Sequence, residues 1–147
     1  VNGAERQLAV LVVDDDPGDV LLIREGFELC GAVRSVHVAV DGQEAISFLR
    51  RTGSQAGVPR PDVVLLDLNM PRKNGRQVLA EIKSDPHLCT IPTLVFTTSQ
   101  DPDDINASYF LHANAYVIKP VNMDDFNTVL ARINEFFTQV AAVPTPA

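Results

Sequence analysis

The chain has 147 residues, 46% of them hydrophobic and 21% charged, a mix that suits one folded domain and excludes intrinsic disorder. Its formal charge of −7 repels phosphate backbones and anionic lipid, so nucleic acid and membranes are not expected as partners. Its two cysteines, Cys30 and Cys89, stand in no paired or ligand-like spacing, which sets aside structural zinc and a disulfide framework and reads them as small core residues.

Residues 1–7 are polar and read as an N-terminal tail without a secretory signal, so the chain is expected in the cytoplasm. Apolar runs at 8–13, 34–40, 62–67, 92–97 and 115–118 predict strands, and helix-period segments alternate with them. That rhythm points to a parallel sheet covered by helices on both faces. Asp16 followed by Pro17 reads as a cap and first helical residue, with Val20, Ile23 and Phe27 on one stripe and Gly31 as the stop. Asp41 with Glu44 is a capping-box-like start for a helix carrying Ala45, Ile46, Phe48 and Leu49. A third helix follows Gly75, buries Val78, Leu79 and Ile82, and stops ahead of Asp85 and Pro86. The fourth starts near Asp101 and Pro102 with a thin stripe of Ile105, Tyr109 and His112, which leaves a face for a partner. The fifth spans about Met123 to Thr138 with Phe126, Val129, Leu130, Ile133 and Phe137 inward, and residues 139–147 read as a frayed tail. The domain is therefore expected over 8–138.

In open parallel sheets, ligands bind at the carboxyl ends of the strands, where the strand order reverses. Asp14 and Asp15 end the first strand, Asp67 the third, Thr97 the fourth and Lys119 the fifth. Thr98 is the competing choice if the fourth strand ends one residue later. Crowded carboxylates repel by roughly 4 kcal/mol per pair at 4 Å and an effective dielectric near 20, so a cation is expected among them. The candidate ligands are hard oxygens, which suits Mg2+ better than zinc. A carboxylate beside such a cation can itself accept a phosphoryl group. His37, His87 and His112 show no ligand pairing and read as surface or locally bonded groups.

Val12, Val13, Asp14 and Asp15, the run Leu66-Asp67-Leu68-Asn69-Met70-Pro71 with Gly75, then Thr97, and Tyr116-Val117-Ile118-Lys119-Pro120 together resemble the receiver domain of two-component response regulators. The resemblance implies a doubly wound, flavodoxin-like α/β fold with a five-stranded parallel sheet in the order 2-1-3-4-5, the order that brings these strand ends together. It implies Asp67 as phosphoacceptor, with Asp15, Asp67 and the main-chain carbonyl of Asn69 holding Mg2+ (or Mn2+) and Asp14 reaching it through water. It further implies that Thr97 and Lys119 grip the phosphoryl oxygens, that the Lys119–Pro120 peptide is cis, and that Tyr116 is a rotamer switch. The implied partners are a histidine kinase and a second copy of the chain, the latter through the fourth helix, fifth strand and fifth helix. Segments 74–83 and 107–116 also resemble stand-alone regulators that serve phytochrome-type histidine kinases.

Two other classes compete. A haloacid-dehalogenase-like phosphohydrolase would use Asp14 as nucleophile with Asp16 two residues on, but Gly18 misfits that motif and Asp67 would go unexplained. The other is an inert binding module with a vestigial pocket.

Overall fold

The computed structural model describes residues 7–31 and 33–144. Residues 1–6 and 145–147, parts of the two expected tails, lie outside that range. The elements follow in strict alternation: β1 Leu8–Val13, α1 Pro17–Cys30, β2 Val33–Ala39, α2 Gly42–Arg50, β3 Val63–Leu66, α3 Gly75–Ser84, β4 Thr93–Thr97, α4 Pro102–Phe110, β5 Ala115–Ile118 and α5 Met123–Glu135. The five strands are parallel in the order β2-β1-β3-β4-β5, as the resemblance implies.

Strand alternation divides the core into two. Leu11, Val13, Val64, Leu66 and Val95 face α2 and α3, where Ile46, Phe48, Leu79 and Ile82 close the layer. Val10, Val12, Val63, Leu65 and Phe96 face α1 and α5, meeting Ile23, Phe27, Phe126 and Leu130. Both faces of β1 and β3 are covered, which is why those strands read as unbroken apolar runs.

Local chemistry sets the helix ends. Asp16 caps α1 by accepting from the N–H groups of Gly18 and Asp19, and Gly31 ends it at φ 71°, a left-handed turn that glycine enters without steric cost. At α2, Asp41 accepts from Glu44 N–H, but the Glu44 carboxylate accepts from Val40 N–H, one residue before the cap. The reciprocal capping box belongs to α3 instead, between Asn74 and Gln77. In α4 Ser108 is buried and Ile105 half-buried, while Tyr109 is 49% and Phe110 81% exposed. The stripe is even thinner than the sequence suggests, and His112 lies outside it, exposed, at φ 72°.

Three further expectations are corrected. The tail from residue 139 is not free at its start: a π-helical turn over Phe136–Val140 continues the fifth helix, the chain turns extended at Ala141, and Ala141 and Val143 pack on the α1/α5 side of the core. Cys30 and Cys89 are half-buried, not core, since each sits at the end of a helical turn where its thiol donates weakly to a carbonyl, Gly26 and Pro86 respectively. The Lys119–Pro120 bond is trans, like every other described peptide bond. The trans form is favoured by about 0.5–1 kcal/mol before proline, and the Lys119 amine reaches the acids from a trans backbone whose N–H is held by the Thr97 carbonyl at 2.7 Å.

Candidate functional site

The sheet register carries the polar strand ends to one place. Asp14 N–H donates to the Ala39 carbonyl at 3.0 Å, Asp67 N–H to Val13 at 2.9 Å and Lys119 N–H to Thr97 at 2.7 Å, so each side chain leaves its strand one step past the last pairing. Carboxylate oxygens of Asp14, Asp15 and Asp67 all lie within 4.8 Å of one another. Asp14 is 1% exposed and Asp67 8%, whereas Asp15 is exposed at the rim of the cluster.

Lys119 is 5% exposed and closes this acid cluster from below. Its Nζ donates to Asp14 Oδ2 at 2.7 Å, to Asp19 Oδ2 at 2.7 Å and to Asp67 Oδ2 at 3.3 Å. Burial opposes charging the amine, but the hydrogen bonds to Asp14 and Asp19 and the charges of Asp14 and Asp67 outweigh it, holding the lysine above its ordinary value. Burial likewise pushes the Asp14 carboxyl up, with Asp67 adding to the rise and Lys119 and Asp16 N–H opposing it. The acid and the base are thus both held up, for different reasons: Asp14 chiefly by burial, and Lys119 by its acidic neighbours against burial.

The mouth of the hollow is a pocket of about 590 Å³ lined by Asp15, Asn69, Met70, Arg76 and Asp104 among others. Arg76, from α3, pairs with Asp104, from α4, and Ser99 Oγ donates to the same carboxylate at 2.5 Å. Those two bonds hold the Asp104 carboxyl below its usual range. Ser99 in turn accepts, through its carbonyl, a hydrogen bond from the Tyr116 hydroxyl at 2.9 Å. Tyr116 is half-buried against the α2/α3 side of the core, so the ring expected to switch is tied through one loop residue to the mouth of the site.

Of the strand-end residues singled out from the sequence, Asp14, Asp15, Asp67 and Lys119 meet at this hollow, and Thr97 ends the strand next to that of Asp67. Thr97 and not Thr98 points inward: Thr97 is 0% exposed and Thr98 is exposed. Thr97 Oγ1 is buried and has no hydrogen-bond partner among the described residues. A buried orphan hydroxyl costs roughly 1–3 kcal/mol, and one beside an acid cluster fits an anion that the cluster and a cation would hold. Asp14 and Asp16 do not act as a pair of acids. Asp14 Oδ1 accepts from Asp16 N–H at 2.9 Å while Asp16 caps α1, which counts against the phosphohydrolase reading. Asp19, Arg76 and Asp104 were not anticipated. Asp19 stands in the first turn of α1, on the same end as the cap, and only the tilt of α1 over the sheet aims it at Lys119.

The geometry agrees with comparisons to known proteins. A family model described as the response regulator receiver domain matches residues 10–131. The response regulator Rcp1 of Synechocystis sp. is 39% identical over 135 residues, covering 92% of each chain. A crystal structure of the phosphorylated cyanobacterial phytochrome response regulator RcpA superposes with a TM-score of 0.90 at 42% identity, covering 95% of this chain and 99% of that one. The Mn2+-bound form of Rcp1 gives 0.87 at 38% identity, covering 94% and 99%. Among the described residues no helix is long and apolar enough to cross a membrane.

Proposed function

We propose that this chain, which belongs to the family of response regulator receiver domains, accepts in the cytoplasm a phosphoryl group on Asp67 from a histidine kinase, one of phytochrome type. The observation that carries the reading is the Lys119 amine 3.3 Å from Asp67 in an acid hollow, with the buried Thr97 hydroxyl, unpartnered among the described residues, at the end of the neighbouring strand. One oxygen of the Asp67 carboxylate attacks phosphorus. The P–N bond of the donor phosphohistidine breaks, its electron pair stays on the imidazole nitrogen, and an acyl phosphate remains on Asp67. Asp15, Asp67 and the Asn69 carbonyl, with Asp14 through water, would hold Mg2+ or Mn2+, and the ion would supply positive charge beside the transferring group.

The product carries close to −2 charge and three acceptor oxygens. Lys119 donates to one of them, and the Thr97 hydroxyl gains the partner it lacks. Charge-assisted hydrogen bonds contribute about 1.5–3 kcal/mol each, so the two together supply roughly 3–6 kcal/mol against the roughly 5.5 needed to invert a 1:99 equilibrium. Movement of Thr97 makes room around Tyr116, and the Tyr116–Ser99–Asp104 chain carries the change to α4. The output surface is α4, β5 and α5, where Phe110, Ile118 and Phe136 are exposed and a groove of about 520 Å³ runs between β5 and α5. Its proposed occupant is a second copy of this chain, and the mass of the phosphorylated protein in solution, one chain against two, tests that.

The experiment for the site is incubation with acetyl phosphate and Mg2+, then mapping by mass spectrometry. The expected label is on Asp67 alone and is absent from Asp67→Asn. Label on Asp14 would return the phosphohydrolase, and no label the inert module.

A further inference from the structure

An ammonium has three N–H donors, and that of Lys119 is directed at three acceptors: Asp14 and Asp19 at 2.7 Å each and Asp67 at 3.3 Å. Its donor capacity is full, and the longest of the three contacts is the one to the reacting carboxylate. Lys119 therefore cannot take hold of a phosphoryl oxygen on Asp67 without giving up a bond it already has.

The two short contacts are not equally easy to give up. The Asp14 side chain is 2% exposed and its other oxygen accepts from Asp16 N–H, so a freed Asp14 carboxylate would stay in the interior. The Asp19 side chain is 25% exposed. It stands in the first turn of α1, where water and the partial positive charge of the helix N-terminus receive a carboxylate without help from lysine. Of the two short contacts, the one to Asp19 is thus the cheaper for Lys119 to release.

We propose that Asp19 is a positioning residue that latches Lys119: it holds the amine back from Asp67 until an anion arrives there, and it opposes every state in which Lys119 grips that anion. The proposal rests on the reading of Asp67 as acceptor and adds a residue that sets how tightly the occupied state is held. Asp19 does not touch the reacting atoms; it acts through the amine it restrains.

Beryllofluoride, a non-covalent mimic of a phosphoryl group, tests the latch. The measurement is its affinity at saturating Mg2+, by calorimetry, for the full chain and for Asp19→Asn, Asp19→Ser and Asp16→Asn. Asp16 removes a charge from the same helix start, yet its carboxylate accepts from Gly18 and Asp19 N–H and makes no bond to Lys119, and asparagine caps as well as aspartate. Asp19→Ser is expected to bind roughly fivefold to tenfold more tightly, the scale of one lost competing hydrogen bond at a partly solvated site, and Asp19→Asn, whose amide oxygen still accepts but carries no charge, more tightly by a smaller factor, with Asp16→Asn within about twofold of the parent. Unchanged or weaker binding in the Asp19 variants overturns the latch. So does an equal gain in Asp16→Asn, which would mean that charge alone is at work. If the parent binds no beryllofluoride, or Asp67→Asn still binds it, the Asp67 reading is what has failed.

Discussion

Lys119→Met is expected to destabilise the metal-free protein by about 3–5 kcal/mol at neutral pH, the usual result of removing one partner from a buried ion pair. The melting temperature should fall by roughly 10 °C for a chain of this size. Methionine keeps the length and the packing against Phe96, whose ring centre lies 5.9 Å from the amine, so the loss reports charge more than shape. What remains is Asp14, 1% exposed, with Asp19 and Asp67 close by and no cation. The pH dependence identifies the cause. A base held above its ordinary value contributes stability that is complete below that value and is lost only as pH rises through the folded one, so Lys119 contributes fully at neutral pH. Asp14 is an acid held above its ordinary value, so its burial costs stability at high pH and the cost fades as pH falls through the folded value toward the ordinary one. Without Lys119 two of the causes that lower Asp14 disappear and the carboxyl moves further up. The gap between parent and variant should therefore narrow as the pH is lowered from neutral, and added Mg2+ should narrow it too by offsetting the unpaired acids of the folded variant. Equal urea midpoints for the two proteins, or a gap unchanged by either treatment, would contradict an acid hollow held by that one amine.

The same residues show where sequence reasoning reaches and where it stops. Asp14, Asp67 and Thr97 are legible because each follows an unbroken apolar run, and a strand end in a parallel sheet has only one side on which to present a ligand group. Burial settles Thr97 over Thr98, since β4 ends at Thr97 with its side chain enclosed and Thr98 in solvent; the sequence alone leaves the strand end uncertain by one residue. Asp19 was not legible. Its contact with Lys119 joins residues 100 apart and depends on how α1 lies across the sheet, which periodicity does not specify. The Arg76–Asp104–Ser99 cluster escaped for a related reason: one member is in a loop and the others sit in the first turns of two helices that meet only after folding. Ala141 and Val143 have no helical pattern to announce them, and they pack on the core from the extended chain that follows the π turn at 136–140. The half-buried cysteines show that a residue type favoured in cores goes where the helix end puts it. The trans bond before Pro120 departs from what family resemblance implied, while the aim of Lys119, the reason for expecting a cis bond, is met from β5 directly.

Gly75→Ala is expected to cost about 3 kcal/mol, at the upper end of the range for overpacking, and to slow phosphoryl uptake at a residue eight positions away. Gly75 opens α3, and its N–H donates to the Leu68 carbonyl at 3.0 Å. The helix start is thus pressed against the chain that carries Asp67. An added Cβ would overlap the Asp67 main-chain carbonyl and stand 2.5 Å from Leu68 Cα. Both are backbone atoms, so no side chain can rotate out of the way. Either α3 lifts from the sheet and uncovers Val78, Leu79 and Ile82, or residues 67 and 68 shift and take the acceptor carboxylate with them. The first outcome lowers stability and the second moves the acceptor, and a compromise does some of each. A drop in melting temperature of roughly 6–12 °C, together with labelling of Asp67 by acetyl phosphate slowed about tenfold, is the combined signature. Gly57→Ala is the control: a Cβ there meets nothing within 4 Å, so neither quantity should move. If Gly75→Ala behaves like Gly57→Ala, the seating of α3 against the acceptor loop is not what holds Asp67 in place.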